Sequence, residues 1–379
     1  MRHMLRFLCR LMTACILLLS PRIALAFETE PVVEHGSAAI VCDEFGNVLY
    51  GLNEDEAMPM ASITKVMTAM VALDSGIDLD EPIAFVYEEY PEGSQLAGYK
   101  DGDTPTFREL LQAMLVYSGN DAATNVAYAV AGSKEGFAEL MNQKAEQIGL
   151  ENTHFANPHG LEEEGHYSSA SDLVKMGRYA MDHYPFIRQT VSRDSIVIVA
   201  DGKEVKLEST DELMGRYLGL LGIKTGNTES GASFLGAARR NLVTLYSCVL
   251  CSDTEEGRFE DTVSLLDWGF GLYADKSLAH GDWLLRMAPW QDGFWLRCPV
   301  SAKRSVVGSV FCEGDVTYTT VMFKPNTLVR ANSTYGTTVW NQSGRHVESV
   351  SYDAGCTQLV SAWSPVTMPL FEDVEGMVG

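Results

Sequence analysis

The sequence is poor in basic residues, and it has no apolar run of the roughly 20 residues that a membrane-spanning helix needs. Lysines and arginines number 28 against 51 aspartates and glutamates, and the formal net charge is −23. A protein this acidic repels nucleic acid and anionic lipid, so we expect neither as a partner. We interpret the excess of acidic groups as a contribution to solubility. Internal repeats and low-complexity tracts are also absent.

Two common catalytic motifs are missing as well. No Gly-x-Ser-x-Gly sequence is present, so the chain lacks the motif that carries the nucleophile of hydrolases built on a serine, histidine and aspartate. Without a His-Glu-x-x-His helix, and with Pro158 among them, His154, His159 and His166 are interpreted as structural polar contacts. We therefore predict neither a metal nor a cofactor.

Eight cysteines are present, two of them in the first 26 residues. Cys248 and Cys251 have the spacing of a zinc or redox pair, but they fall in or beside an apolar run, 242–250, that is typical of a buried strand. We therefore favour buried thiols. A Cys298–Cys312 disulfide stays open as an alternative, although a chain of this length does not depend on such cross-links.

The first 26 residues form a separate element. Three arginines within the first ten residues precede an apolar run, 11–19, and Ala24-Leu25-Ala26 supplies the small residues that a signal peptidase recognises. The apolar run is too short for a membrane anchor. We predict a signal peptide of residues 1–26, cleavage after Ala26 and export to the cell envelope, on the outer face of the cytoplasmic membrane or beyond it.

Hydrophobic periodicity predicts strands on both sides of a helical middle, which is typical of an α/β fold: an antiparallel sheet flanked by helices, with an all-helical insertion. The Thr106 to Glu109 spacing predicts a capping box, and Asp201-Gly202 predicts a hairpin turn. Helices are expected after Ile63, after Thr106 and at 121–131, 134–148, 171–183 and 258–273. Strands are expected at 37–42, 48–50, 196–199, 205–207, 220–225, 232–238 and 242–250.

The composition changes near Trp283. From there the apolar residues lie in short runs that glycine, proline and asparagine separate, which favours a β-rich domain. We predict a catalytic domain of residues 27–282 and a smaller β-rich C-terminal domain of residues 283–379.

Three short motifs carry the chemistry. Ser62-Ile63-Thr64-Lys65 places a hydroxyl and an amine on one face at the start of a helix, where a neutral amine can take the serine proton. Ser118-Gly119-Asn120 presents a hydroxyl and an amide from a turn between two helices. Lys224-Thr225-Gly226 lies on a predicted strand. Each motif alone is weak, but their order matches that of the penicillin-recognising serine hydrolases.

With these motifs the chain resembles the low-molecular-mass penicillin-binding proteins of the D-alanyl-D-alanine carboxypeptidase family. The resemblance covers about residues 37–275 and implies a β-lactamase/transpeptidase-like fold there. The C-terminal region shows no motif of that family. The matching segments are 59–69, 118–123, 157–161, 222–226, 257–258 and 266–270.

The resemblance implies a reaction through an acyl-enzyme. Ser62 would be the nucleophile, Lys65 its general base and Ser118 a proton relay. Backbone N–H groups of Ser62 and of Asn227 or Thr228 would form the oxyanion hole. The implied substrates are peptidoglycan stem peptides, and β-lactam antibiotics would act as inhibitors.

The same resemblance implies the binding residues. Asn120 would hold the substrate amide, and Lys224 and Thr225, with Gly226 beside them, would bind the terminal carboxylate. Arg258 would assist with that carboxylate. The acidic tail at 372–376 departs from the basic amphipathic helix that ends many relatives, which argues against a membrane anchor of that kind.

Other functions on the same fold stay open. Glu162-Glu163-Glu164 could supply a deacylating carboxylate as in a class A β-lactamase, although an exposed acidic loop is the favoured interpretation. A DD-endopeptidase would use the same motifs on a cross-linked substrate. A non-catalytic wall-binding homologue is disfavoured because no catalytic residue is missing.

The predicted signal peptide has a direct test. If it is removed after Ala26, N-terminal sequencing of the exported protein should begin at Phe27, and the protein should wash from membranes more readily than tail-anchored relatives. A sequence that begins at Met1 would show that the segment is retained.

Overall fold

The computed structural model describes residues 30–279 and, beyond them, eight strands between residues 286 and 360. The predicted signal peptide (residues 1–26), the acidic tail and Cys312 lie outside the described residues. The signal peptide, the tail without a membrane anchor and the Cys298–Cys312 disulfide are therefore not tested by the structure and stay predictions.

A five-stranded antiparallel sheet forms the centre, with the spatial order β2-β1-β7-β6-β5. The strand β5 therefore lies at one edge of the sheet and pairs only with β6 there. A separate hairpin of β3 and β4 turns at Asp201-Gly202, as the sequence predicts. The strands are β1 (Ala38–Asp43), β2 (Val48–Leu52), β3 (Ser195–Ala200), β4 (Lys203–Glu208), β5 (Leu220–Thr228), β6 (Gly231–Arg240) and β7 (Val243–Ser252).

Helices cover both faces of this sheet. Most of them lie between β2 and β3 in the chain, so the predicted helical middle is confirmed. The Thr106 side chain accepts from the Glu109 N–H while Glu109 Oε2 accepts from the Thr106 N–H, which is the predicted capping box. The helices are α1 (Thr64–Asp74), α2 (Phe107–Gln112), α3 (Asn120–Ala131), α4 (Lys134–Ile148), α5 (Ala170–His183), α6 (Pro185–Val191) and α7 (Gly257–Gly271).

Two hydrophobic clusters hold these layers together. Alternate residues of β1 point to opposite faces, and all six are buried because helices lie on both sides. Ile40 and Leu235 pack with α1, α3 and α5 in the larger cluster. Val41 and Leu245 pack with Leu266 of α7 in the smaller one. Cys248 lies in the larger cluster as a buried free thiol, and Cys251 is also free, which agrees with the preferred interpretation of this pair.

The remaining strands give the C-terminal part its β-rich character, as predicted. Five of them form an antiparallel sheet in the order β12-β14-β15-β10-β9, and β8 pairs with β11. The predicted boundary at residue 283 stays a prediction. Among the described residues, no helix combines the length and apolar character that a membrane crossing demands. These strands are β8 (Tyr273–Ala279), β9 (Arg286–Pro289), β10 (Arg297–Ala302), β11 (Val306–Phe311), β12 (Val316–Met322), β13 (Thr327–Val329), β14 (Thr334–Gln342), β15 (Arg345–Ala354) and β16 (Gln358–Val360).

Candidate active site

Ser62 lies in a 3₁₀ turn, Ala61–Ile63, that leads directly into α1. The Thr64 hydroxyl donates to the Ala61 carbonyl oxygen (2.8 Å) and stabilises this turn. Because the helix continues from the turn, the side chain of Lys65 projects on the same side as that of Ser62. The distance from Lys65 Nζ to Ser62 Oγ is 2.6 Å. The structure thus brings together the hydroxyl and the amine that the first motif contains.

Lys65 is fully buried, with 0% of its surface exposed, and its amine contacts three oxygen atoms. Besides Ser62 Oγ, these are Asn120 Oδ1 (2.7 Å) and the His159 carbonyl oxygen (2.6 Å). The amide and carbonyl oxygens can only accept, so they take the two N–H groups of a neutral amine and leave its lone pair for the Ser62 hydroxyl. Desolvation, followed by the positive charge of Lys224, holds the pKa of Lys65 well below its usual value.

Ser118 ends a π-helical turn, Ala113–Tyr117, with a left-handed backbone (φ 73°, ψ 27°). This conformation costs a non-glycine residue on the order of 1–3 kcal/mol and is often retained at functional sites. Asn120, two residues later, begins α3 and reaches Lys65 with its side chain. Ser118 itself is buried, but its hydroxyl is not one of the three oxygens that contact Lys65 Nζ. The turn therefore delivers Asn120 directly and places Ser118 next to it.

Asp121 holds the loop that approaches this turn, and sequence reasoning missed it. Its carboxylate accepts the N–H groups of Ala97 (2.8 Å) and Gly98 (3.0 Å). In addition, the Asn120 N–H donates to the Gln95 carbonyl oxygen (2.8 Å). Burial raises the pKa of the Asp121 carboxyl, while these N–H groups lower it. Because the partners of Asp121 are backbone N–H groups more than 20 residues upstream, no side-chain pattern predicts these contacts. The one signal in the sequence is the position of Asp121 directly after the second motif.

The loop of residues 157–161 supplies the carbonyl that Lys65 contacts. The side chain of Asn157 shapes this loop by accepting the Gly160 N–H (2.7 Å). Gly160 has a left-handed φ of +91°, and a Cβ there would lie 2.0 Å from the Ala61 carbonyl oxygen. Only glycine permits this approach, so it also determines where the His159 carbonyl stands.

The histidines of this region have structural partners. His166 Nδ1 accepts the Ala156 N–H (3.0 Å), so the other ring nitrogen carries the proton and donates to Thr64 Oγ1 (2.8 Å). His159 Nδ1 accepts the Leu161 N–H (3.2 Å). Burial lowers the pKa of His166 to about 4 and that of His159 to about 3. Both rings are therefore neutral at physiological pH, and they brace the turn and the loop around Ser62.

The third motif lies on β5, against the turn that carries Ser62. A Cβ on Gly226 would stand 2.7 Å from Ala61 Cβ and 3.3 Å from the Ser62 nitrogen, so glycine lets this strand approach the nucleophile. Lys224 is 1% exposed, and its Nζ donates to the Thr225 carbonyl oxygen (3.1 Å). The structure thus brings the third motif to the first.

Two further residues of the predicted site, Arg258 and Asn227, lie near Glu255. Arg258, in the first turn of α7, donates to the Gly226 carbonyl oxygen (2.8 Å) and stands 3.8 Å from Glu255. Asn227 donates its side-chain N–H to Glu255 (2.7 Å). Arg258 is therefore close behind the third motif, whereas the side chain of Asn227 is engaged outside the cluster around Lys65.

The pKa of Lys224 is lower than that of an ordinary lysine. Burial and the nearby Arg258 lower it to about 7, with Asp211 acting in the opposite direction. The cause is the complete desolvation of the side chain, which periodicity alone does not reveal. A carboxylate bound beside Lys224 would raise this pKa, because an opposite charge favours the protonated amine.

The acidic loop after residue 161 is exposed and hydrogen-bonded to its neighbours. Glu162 accepts the Ser230 N–H (3.1 Å) at the turn between β5 and β6, and Glu163 accepts from the Asn157 side chain (3.0 Å). These contacts agree with the interpretation as an exposed loop.

Comparisons with known proteins agree with this geometry. Residues 26–254 match the profile of a family described as Peptidase S11, D-alanyl-D-alanine carboxypeptidase. The carboxypeptidase DacF of Bacillus subtilis is 32% identical over 250 residues, which are 65% of this chain and 64% of that protein. The carboxypeptidase DacB2 of Mycobacterium tuberculosis is 35% identical over 246 residues, which are 63% of this chain and 84% of that protein.

Solved structures match the fold. Penicillin-binding protein D2 of Listeria monocytogenes, crystallised with cefotaxime, has a TM-score of 0.58 at 33% identity and covers 64% of this chain and 100% of its own. Penicillin-binding protein 5 of Haemophilus influenzae has a TM-score of 0.62 at 23% identity and covers 87% of this chain and 98% of its own, which is a likeness of fold.

The close contact at Gly160 gives a test of the site. In Gly160→Ala the new methyl group overlaps the Ala61 carbonyl, so the loop must move and the Lys65–His159 bond is lost. We expect the rate at which a fluorescent penicillin labels Ser62 to fall at least tenfold, on the order of 1.4 kcal/mol in activation free energy.

Gly165→Ala is the matched control. Gly165 has a similar φ of +80°, but the nearest atom to a new Cβ, Nδ1 of His154, is 3.7 Å away. This variant should lose stability by about 1–2 kcal/mol and keep its labelling rate. Equal labelling rates in the two variants would show that the close approach at Gly160 does not matter.

Proposed function

Because the chain belongs to the D-alanyl-D-alanine carboxypeptidase family, we propose that it removes the terminal D-alanine from peptidoglycan stem peptides through an acyl-enzyme on Ser62. The observation that carries this proposal is the fully buried amine of Lys65, 2.6 Å from the Ser62 hydroxyl and with its other two contacts occupied by acceptors. Its surroundings keep this amine neutral, so it can act as the base without the help of a histidine.

In the first half of the reaction, the terminal carboxylate of the substrate binds beside Lys224 and Thr225. Ser62 Oγ attacks the carbonyl carbon of the last peptide bond and gives its proton to Lys65 Nζ. The Ser62 N–H and that of Asn227 or Thr228 stabilise the oxyanion, since β5 passes close to the turn of Ser62.

In the second half, the C–N bond breaks and D-alanine leaves as an amine that receives the proton, relayed by Ser118. A water molecule then attacks the carbonyl carbon of the ester and gives a proton to Lys65 Nζ. The ester C–O bond breaks, Ser62 Oγ takes that proton from Lys65, and the shortened peptide leaves with a new carboxylate. Asn120 fixes the substrate amide while its oxygen holds Lys65 in place. Arg258 adds positive charge behind the carboxylate site and holds the Gly226 carbonyl.

The same cleft supports β-lactams as inhibitors, because their strained amide and carboxylate resemble the scissile bond and the terminus of the substrate. The Listeria monocytogenes relatives were crystallised with cefotaxime and with ampicillin. A β-lactamase would need a carboxylate that activates water against the acyl-enzyme. The candidates from the sequence are Glu162, Glu163 and Glu164, and all three are exposed. Glu162 accepts the Ser230 N–H, and Glu163 accepts from the Asn157 side chain. The carboxypeptidase is therefore favoured over a β-lactamase, with a DD-endopeptidase or a wall-binding homologue as alternatives.

The predicted location and domains belong to the same proposal. Removal of residues 1–26 would release the enzyme to the cell envelope, where its substrate is found. Residues 27–282 would carry the reaction, and residues 283–379 would form the separate β-rich domain. The pairing of β8 with β11 supports a close connection between the two.

The proposed function is tested with purified protein. A D-alanyl-D-alanine pentapeptide should release D-alanine, and a penicillin should add its mass to the peptide that contains Ser62 and stay bound for minutes. Ser62→Ala should lose both. Label on another residue would refute the assigned nucleophile, and rapid loss of the label with release of hydrolysed penicillin would favour a β-lactamase.

Conservative variants separate the two lysines. Lys65→Arg replaces the neutral amine with a guanidinium that stays charged and cannot act as a base, so acylation should fall by about 10²–10⁴-fold for every substrate. Lys224→Arg keeps a cation at the carboxylate site, so we expect a smaller loss, confined to substrates that carry the carboxylate. Acylation rates with a penicillin and with a neutral aryl ester measure both. Equal losses toward both compounds in the two variants would contradict this division of roles.

A further inference from the structure

The segment between β4 and β5 places a buried carboxylate beside the third motif. The hydroxyls of Thr210 and Thr225 share a hydrogen bond, and the Thr210 N–H donates to the Val116 carbonyl oxygen (3.3 Å). These contacts fix the segment between β5 and the π-helical turn before Ser118. The next residue, Asp211, is consequently 8% exposed.

The Asp211 carboxylate is only half satisfied. Oδ1 accepts the Leu213 N–H (3.0 Å), whereas Oδ2 is buried and has no hydrogen-bond partner among the described residues. A buried carboxylate oxygen without a partner destabilises the folded state unless nearby positive charges offset the cost. Burial raises the pKa of Asp211 to about 6, and the group is therefore ionised at the pH where the protein is expected to work.

The charges that face Asp211 come from two elements. Lys224 on β5 and Arg258 on α7 are both buried cations, and both attract the carboxylate. Arg258 is in turn attracted by Glu255, Glu212 and Glu256. Lys224 is pulled in two directions, because desolvation and Arg258 favour loss of its proton while Asp211 favours its retention.

We propose that Asp211 is a positioning residue that keeps Lys224 protonated, so that a substrate ending in a carboxylate meets an ammonium group above neutral pH. This inference rests on the proposed function, since it assigns to Lys224 the terminal carboxylate of the peptide. The carboxylate of Asp211 repels the terminal carboxylate of the substrate. It also keeps Lys224 charged, and this second effect is the larger one where Lys224 would otherwise be neutral.

The sign of the effect depends on pH. Near pH 5.5 Asp211 is largely protonated and Lys224 is charged, so removing the carboxylate changes little. Above pH 7.5 Lys224 holds its proton less well, and loss of Asp211 lowers the protonated fraction further. In Asp211→Asn the basic limb of kcat/KM should therefore move to lower pH, with wild-type values near pH 5.5. Each pH unit of displacement lowers kcat/KM about tenfold on that limb, and the change should lie in KM.

Two comparisons make this specific. Glu212→Gln removes the neighbouring acid, whose side chain is 61% exposed, and should leave the pH profile in place. With an aryl ester that has no carboxylate, Asp211→Asn should show at most a small shift. Parallel loss of activity at every pH, or superimposed profiles for Asp211→Asn and wild type, would overturn the inference.

Thermal unfolding provides a readout that does not depend on activity. Because the folded-state pKa of Asp211 lies above its unfolded value, its stabilising contribution is complete below about pH 4 and is lost as the pH rises through about 6. Asp211→Asn should therefore raise the Tm at pH 8 and not at pH 4. A lower Tm at both pH values would mean that the carboxylate is structural. Failure of wild type to release D-alanine would refute the proposed function and the inference together, whereas normal release with superimposed profiles would refute the inference alone.

Discussion

The chemistry of this protein depends on removing one amine from water. Lys65 is wholly enclosed, and an ammonium ion in such a place has lost its hydration without gaining a carboxylate partner. The neutral amine is the stable form, and the contacts with Asn120 and His159 satisfy it without taking its lone pair. The turn of Ser62, the loop 157–161 and the start of α3 are each needed to complete this enclosure.

The enclosed amine is linked to a second lysine by charge. Lys224 lowers the pKa of Lys65 when it is protonated, while Arg258 and burial act to remove its own proton. A carboxylate that binds beside Lys224 stabilises the ammonium there, and that ammonium in turn opposes protonation of Lys65. In the proposed reaction, substrate binding would thus favour the neutral form of Lys65, which can accept the serine proton. Binding and catalysis would be coupled through the charges of Lys224 and Arg258.

The sequence predicts the local parts of this arrangement and misses most of its long-range contacts. The spacing of Ser62 and Lys65 is decided by one helical turn, and the apolar run of β7 reflects a strand that is buried on both faces, so both could be predicted. The contact between Lys65 and the His159 carbonyl oxygen could not be predicted, because every residue carries such an oxygen and the sequence does not distinguish among them. Asp121 and Asp211 could not either, since their roles follow from backbone groups and cations that only the fold brings near. The lowered pKa of Lys224 could not be predicted for the same reason.

The overall acidity of the chain makes local charge decisive. A protein with a formal net charge of −23 repels a peptide that ends in a carboxylate, and salt at physiological strength screens this repulsion only beyond about 8 Å. The attraction must therefore come from cations at the site itself, where burial weakens screening. Burial, however, also drives protons from those cations, as it does at Lys224. A buried carboxylate such as Asp211 would resolve this conflict, because it favours the charged lysine and burial weakens the screening of their attraction by salt.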